Sequence, residues 1–296
     1  MFLKKWALTL YHAKLGQLVF KAMPDSVFIK IQYRSIMGKK LNLNSPKGFN
    51  EKLQWLKLHD RKPEYSIYAD KYAVREFIKN TIGEKYLVEL YGVWDNVNDI
   101  DYNKLPKKFV IKGAHDSGSV VVCRDKSVLD IKDTTNKMAK ALHKNNFDYG
   151  RDWPYKSIKP RIIAEEYLDN GTEGLIDYKF YCFQGEAKFL YVSQGLEDHS
   201  TAHITFFDLE GNRTPFQRSD YPTHDIDPVF PSNFKDMISI ANQLAKAVGA
   251  PFIRIDLYNI NGRIVFSEIT FRPCSGYMRF TPPEWDEKIG SLIECI

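Results

Sequence analysis

The chain has 296 residues, 44% of them hydrophobic and 14% aromatic, enough for a real core in one large domain or two. No apolar run is long enough to span a bilayer, and the four cysteines (Cys123, Cys182, Cys274, Cys295) are widely spaced without a CxxC, which argues against a disulfide framework and for a reducing compartment. The net charge of +5 is uneven: residues 1–40 hold eight Lys/Arg against Asp25, and the remaining 34 basic and 36 acidic residues leave no basic stripe for nucleic acid.

In the N-terminal stretch Leu8, Tyr11, Leu15, Leu18, Val19 and Ala22 fall at helical spacing among lysines. Such a helix either lies on an anionic membrane surface or packs on the body with its basic face solvated. Lys14 and Lys21 interrupt it as a signal peptide. Ser45-Pro46 then reads as a helix start, with Phe49, Leu53 and Leu56 on one face, and a further helix is expected from about Ala69 to Thr81. Phe109–Lys112 is a strand, followed by the small polar loop Gly113–Ser119 and the strand Val120–Val122. Residues 127–145 read as helix, and Arg161–Leu168 as a strand running into the acidic turn Asp169–Glu173.

Asp177–Phe183 and Ala187–Ser193 form a hairpin, with Asp177 and Lys179 on one face as a surface ion pair, and Ala202–Asp208 is another strand. Loop 213–232 is Pro-rich and contains Asp225-Ile226-Asp227, a DxD string of the kind glycosyltransferases use for metals, though short and common. Residues 233–248 form the clearest helix, capped by Ser232 and ended by Gly249. Helices first, then strands mixed with helices, make the chain α+β.

The most informative segment follows. Arg254–Gly276 places two apolar strands around the turn string Asn259-Ile260-Asn261-Gly262, and each strand carries one acid, Asp256 and Glu268. A carboxylate in an apolar strand is costly unless paired or metal-bound, so two on one hairpin point to a hard cation such as Mg²⁺. They share a face only if residues of even index sum pair, for example Tyr258 with Ile264, which sets Glu268 diagonal to Asp256, roughly 7–8 Å away. A slip by one residue separates them.

A strand lysine (Lys112) before a Ser/Gly loop, a strand end Glu165-Glu166-Tyr167-Leu168, a second strand lysine (Lys179) and this hairpin occur in an order that resembles the ATP-grasp superfamily, and most closely its TupA-like branch, the teichuronopeptide biosynthesis type. The resemblance rests on FNEKLQWLKLHD (49–60), YADKYAVREFI (68–78), FVIKGAHDSGS (109–119), RIIAEEYL (161–168), DYKFYCFQGE (177–186) and the hairpin, and covers residues 45–285. It implies an ATP-grasp fold, two α+β subdomains gripping ATP, with a helical N-terminal extension. The expected division is a basic helical region at 1–66, a smaller nucleotide-lid subdomain at 67–168 and a C-terminal subdomain with the Mg²⁺ hairpin at 169–296.

By resemblance, Lys112 and Lys179 contact phosphates under the loop carrying His115, Ser117, Gly118 and Ser119. Glu165, Glu166, Tyr167 and Leu168 surround adenine, Glu173 takes the ribose, and Lys71 is a further nucleotide contact. Asp256 and Glu268 bind Mg²⁺; Thr270 stands where many members have an Asn ligand, and Arg272 steadies the transferring phosphoryl group. The implied activity is an ATP- and Mg²⁺-dependent ligase joining a carboxylate to an amine in cell-surface polysaccharide or capsule biosynthesis, in the cytoplasm, with residues 1–40 offering a peripheral contact to the inner membrane face. Rival readings are a glycosyltransferase, an ATP-dependent sugar kinase and a non-catalytic nucleotide-binding protein.

Overall fold

A computed structural model describes residues 22–171, 174–195 and 201–294. Two antiparallel sheets organise them. The smaller, in the order β1 (Leu90–Trp94), β4 (Ile162–Glu166), β2 (Phe109–Gly113), β3 (Val120–Cys123), is backed by helix α5 (Ile131–Leu142) through Phe109, Ile111, Met138, Ala141 and Ala164. The larger runs β10 (Arg263–Thr270), β9 (Phe252–Ile260), β5 (Asp177–Phe183), β6 (Glu186–Gln194), β7 (His203–Phe207). A two-stranded ribbon, β8 (Gln217–Arg218) with β11 (Phe280–Thr281), completes the strands. This mixture of helices and antiparallel sheets is the α+β architecture the sequence implies.

Strand β5 is buried at all seven positions, because the large sheet is covered on both faces. Tyr178, Phe180 and Cys182 pack under helix α7 (Phe234–Val248), whose Met237, Ala241, Leu244 and Val248 form the facing stripe. The opposite face divides along the strand. Tyr181 and Phe183 join an aromatic cluster with Phe252 and Phe49 of helix α2 (Phe49–His59). Asp177 and Lys179, ahead of them on the same face, are left to the space between the sheets. The expected surface pair is therefore buried: Lys179 is 6% exposed and Asp177 8%. The smaller sheet is tied to the larger by Arg263, whose guanidinium meets both oxygens of Glu166 at 2.8 and 3.1 Å.

Several local expectations shift. Helix α2 begins at Phe49 rather than after Ser45, which lies in a turn headed by the Asn42 side chain. Its start is closed by Glu51, which accepts from the backbone of Lys47 and Gly48 at 3.1 and 3.4 Å, so a residue inside the first turn does the capping. The expected helix 69–81 is two pieces, α3 (Tyr65–Ala69) and α4 (Val74–Thr81), because Asp70 turns its carboxylate onto the N–H groups of Tyr72 and Ala73 and breaks the helix between them. Helix α7 is preceded by Asn233 without a side-chain cap, and Ser232 does not serve; Gly249 ends it at φ 62° as expected.

Helix α1 (Asp25–Met37) buries Phe28, Ile29 and Tyr33 against the body. The proposed N-terminal amphipathic face, from Leu8 to Val19, lies outside the described residues, as does Glu173. No helix among the described residues is long and apolar enough to cross a membrane.

Candidate functional site

The β9–β10 hairpin is built differently from the register expected of it, with the same consequence for its acids. The turn is two residues, Asn261 (φ 51°) and Gly262 (φ 87°), and positive φ at both is the signature of a tight type I′ turn. That turn pairs Arg263 with Ile260 and Val265 with Tyr258, an odd index sum that taken alone puts Asp256 and Glu268 on opposite faces. A bulge between Phe266 and Glu268 absorbs one residue, Ser267, and beyond it Glu268 stands directly opposite Asp256 and Thr270 opposite Arg254. The two acids thus share a face as cross-strand partners rather than on a diagonal.

Around them is a buried charge network. Lys179 pairs across β5–β9 with Asp256 and lies 2.6 Å from both Asp256 Oδ2 and Asp177 Oδ2. Arg254 grips Asp256 through two bonds of 2.6 Å, and its Nη2 also donates to Glu268 Oε1 and Thr270 Oγ1 at 3.0 Å. Burial works against every charge here, and the partners decide the outcome. Asp177 and Asp256 hold Lys179 protonated well above its ordinary value despite its burial. Glu268 is likewise opposed by burial, yet Lys71, Arg254 and Lys179 bring it down to about 2. Burial raises Asp177 to about 6, with Lys179 pulling it down and Asp256 pushing it up.

This network floors a cleft of about 740 Å³ between the two sheets. The opposite wall comes from β2, β4 and the loop after β2. Lys112 Nζ is 2.5 Å from Glu165 Oε2, and Arg75 Nη1 lies 3.5 Å from the other oxygen, Glu165 Oε1. Lys71 Nζ donates to Asp116 O at 2.6 Å and so braces the loop 113–119. Lys71, Lys112, Ser117, Gly118, Ser119, Glu165, Glu166, Tyr167, Leu168, Lys179 and Glu268 all line this one cleft, although they come from distant parts of the chain.

Four expected site residues stand apart from it. His115 is 3% exposed; its Nε2 lies 2.9 Å from Ala141 O and its Nδ1 accepts from the Arg161 backbone, so the ring staples the loop to α5. Asp256 is fully buried behind Arg254 and Lys179. Thr270 Oγ1 donates to Glu268 Oε1 at 3.0 Å while accepting from Arg254. Arg272 is buried beyond the hairpin, with Nη2 3.5 Å from Asp60 Oδ2. Conversely, Arg254, Asp177 and Ser193 belong to the site and were not singled out as site residues. Their signal was present, since Arg254 and Asp177 each sit two residues ahead of a chosen one and therefore on the same strand face.

Among the described residues no group of three or more His, Cys, Asp or Glu is arranged as a metal cage. Mg²⁺ does not require one, because it usually binds through one or two carboxylates plus substrate phosphates. Asp177 and Glu268 both line the cleft, and Asp177 Oδ1 is buried with no hydrogen-bond partner. Glu268 and Asp177 thus fit a cation entering with phosphates, while Asp256 and Thr270 support from behind.

Two lysine-bearing walls over an acidic hairpin, one on each of two antiparallel sheets, define an ATP-grasp fold. The chain belongs to the TupA-like ATP-grasp family, whose model matches residues 51–294. No curated protein matches it. Among solved structures it is similar to a D-alanine–D-alanine ligase from Bacillus anthracis (15% identity, TM-score 0.41, covering 69% of this chain and 57% of that one). It is also similar to a D-cycloserine synthetase (12%, TM-score 0.43, 76% and 69%) and an L-amino acid ligase from Bacillus licheniformis (13%, TM-score 0.43, 90% and 57%). The chain spans just over half the length of the first of these.

Proposed function

We propose that the protein is an ATP-dependent ligase that activates a carboxylate as an acyl phosphate and joins it to an amine. The observation that carries this reading is the placement of Lys112 and Lys179 on opposite walls of one cleft, with the Glu268 carboxylate between the network and the open space. The carboxylate attacks the γ-phosphorus of ATP and releases ADP; the amine then attacks the acyl carbon, expels inorganic phosphate and loses a proton to give the amide. No covalent nucleophile is needed, so the protein contributes position and charge neutralisation.

In this reading Lys112 and Lys179 neutralise phosphate oxygens and the backbone of loop 113–119 covers them, with Lys71 holding that loop. Glu165, Tyr167 and Leu168 line the adenine end. Neither Arg254 nor Arg272 lines the cleft itself, but Arg254 donates to Glu268, which does, and so acts on the phosphate end more directly than Arg272. Glu268 and Asp177 would hold Mg²⁺, which when bound would offset charge on the phosphates. The strands 90–166 and 177–270 would then act as the two jaws, corresponding to the units 67–168 and 169–296.

The resemblance to the teichuronopeptide biosynthesis type supports a place in cell-surface polysaccharide assembly, with a uronic or amino acid as carboxylate. The charge of residues 1–40 supports contact with an anionic inner membrane face; since α1 is packed on the body, residues 1–21 would make it. Equal partitioning to anionic vesicles after removal of 1–21 would defeat that part.

The test of the activity is phosphate release from ATP across a panel of uronic and amino acids. Substrate-dependent release that disappears in Glu268→Gln is expected. Turnover unaffected by that substitution would overturn the assignment, and transfer of phosphate to a sugar hydroxyl would replace it with a kinase. The glycosyltransferase reading loses its motif: Asp227 is ion-paired to Arg213 at 2.7 Å, and neither it nor Asp225 lines the cleft.

A further inference from the structure

The Pro-rich loop before α7 brings two histidines together on the face of the large sheet that the ATP cleft does not use. Along β7 the side chains alternate: Ile204 and Phe206 join the aromatic cluster, while alternation puts His203 and Thr205 with Phe207 on the α7 side. Strand β7 is an edge of its sheet, and loop 213–232 folds back over that edge. Thr214 N donates to Phe206 O at 3.1 Å and Ile204 N to Pro222 O at 2.9 Å; further on, Phe230 packs on Phe207 with ring centres 5.2 Å apart. Between Pro222 and Phe230 lies His224, which meets His203 at a ring separation of 5.8 Å and a tilt of 38°.

Each ring has one nitrogen fixed and one left over. His203 Nδ1 is 3.0 Å from Thr201 O, and a carbonyl only accepts, so Nδ1 carries the proton and the lone pair of the neutral ring is on Nε2. His224 Nδ1 is 2.8 Å from Thr205 Oγ1, which also accepts from the His224 backbone N–H at 2.9 Å. His224 is 7% exposed, and its Nε2 has no hydrogen-bond partner among the described residues. A buried nitrogen left this way asks for a partner. A ring held at one nitrogen by a carbonyl or hydroxyl, with the other nitrogen open, is how metal-ligating histidines are oriented. Burial lowers His224 below its ordinary value, with His203 and Arg213 adding and Asp227 opposing, so the ring is neutral at pH 7. The neighbouring guanidinium is already committed: Arg213 Nε pairs with Asp227 Oδ1 at 2.7 Å, and Nη2 donates to His224 O at 2.5 Å.

Two imidazoles bound through Nε2 to one tetrahedral ion, with metal–nitrogen bonds of ~2.0–2.1 Å, have ring centres roughly 5 Å apart. The observed 5.8 Å is within about 1 Å of that spacing. Imidazole nitrogen suits Zn²⁺ and Cu²⁺, whereas Mg²⁺ seeks oxygen, so the pair differs in kind from the carboxylates of the cleft. We propose that His203 and His224 form a two-histidine site for a divalent transition metal of the Zn²⁺ class, which staples the Pro-rich loop to the edge strand β7. Water completes the shell, since no third His, Cys, Asp or Glu is grouped with them among the described residues. Binding at His224 Nε2 selects the tautomer in which Nδ1 donates to Thr205 Oγ1, so the ion fixes the loop to the strand through both rings. The site also gives a place to the Asp225-Ile226-Asp227 string, which follows directly on His224 and whose Asp227 holds Arg213 away from the ring nitrogens.

The test is isothermal titration with Zn²⁺ of the full chain, free of any affinity tag, stripped with EDTA and without nucleotide. One Zn²⁺ should bind, roughly a hundredfold or more tighter than Mn²⁺, and Mg²⁺ should not compete. His203→Gln and His224→Gln should each weaken Zn²⁺ binding by about tenfold or more, while His59→Gln, on helix α2, should leave it within about twofold. Because His224→Gln also removes the bond to Thr205, a second readout uses the wild type alone. Saturating Zn²⁺ should block acylation of His203 by diethyl pyrocarbonate, read by mass spectrometry, and leave the exposed His59 reactive, since a metal-bound nitrogen has no lone pair to offer. Absence of Zn²⁺ binding, binding that survives both substitutions, equal affinity for Mn²⁺, or a His203 that stays reactive under saturating Zn²⁺ overturns the site.

Discussion

Replacing Lys57 with Met should change how stability depends on pH, and the size of the change follows from the burial of one ammonium. In the folded state burial lowers Lys57 from its ordinary 10.5 to about 7, with Asp152 opposing and Arg272 assisting. Between these two values the unfolded chain holds a proton that the folded chain has released. The unfolded state binds more protons there, so folding stability rises with pH through that window and is flat below it. The slope is ~1.4 kcal/mol per pH unit for one proton, so the wild type should gain ~3 kcal/mol between pH 7 and 9.5 that Lys57→Met does not. That is a large share of the ~5–15 kcal/mol typical of folded domains. The two bonds that Lys57 donates to Ser275 O and Oγ survive deprotonation, because a neutral amine still has two hydrogens to donate. Their loss in the Met variant adds a penalty that does not vary with pH. Urea unfolding of both proteins at several pH values isolates the difference and cancels the other titrating groups. A wild-type minus variant difference that stays constant within ~0.5 kcal/mol from pH 7 to 9.5 would refute the reasoning, because it would mean that Lys57 keeps its charge when buried.

Glu268→Gln should lower substrate-dependent phosphate release by about a hundredfold or more while circular dichroism stays native, since it removes one of the two cleft carboxylates proposed to meet a phosphate-bound cation. Lys179→Met leaves Asp256 and Asp177 buried without their shared partner, and should cost ~3–5 kcal/mol of stability as well as activity, read by urea unfolding. Arg263→Ala breaks a half-exposed pair and should cost under ~1 kcal/mol, but loosening the link between the sheets should raise the KM for ATP more than it lowers kcat. Asp225→Asn with Asp227→Asn should leave phosphate release within about twofold, because the DxD string lies outside the cleft; a large loss would revive the glycosyltransferase reading.

The sequence by itself determined which residues carry charge inside apolar strands, and that was enough to mark Lys112, Lys179, Asp256 and Glu268 and to place the chain among ATP-grasp proteins. Alternation along a strand is local, so Arg254 and Asp177 were legible too, each on the face of a residue already chosen. Tertiary structure alone decided how those charges share partners. Parity of the hairpin could be stated as a condition but not solved, because a two-residue turn and a one-residue bulge each reverse it and only their combination returns Glu268 to Asp256. It also decided which side chains reach the cleft: His115 sits within the phosphate loop in sequence but turns into the core against α5, and Arg272 follows Thr270 by two residues but lies behind the hairpin. Lys57 shows the same limit from the other side. In sequence it is one lysine on an amphipathic helix, and only the closure of α2, the Arg272–Gly276 loop and the 146–155 segment around it removes it from water and makes it a group that can lose its charge near neutral pH.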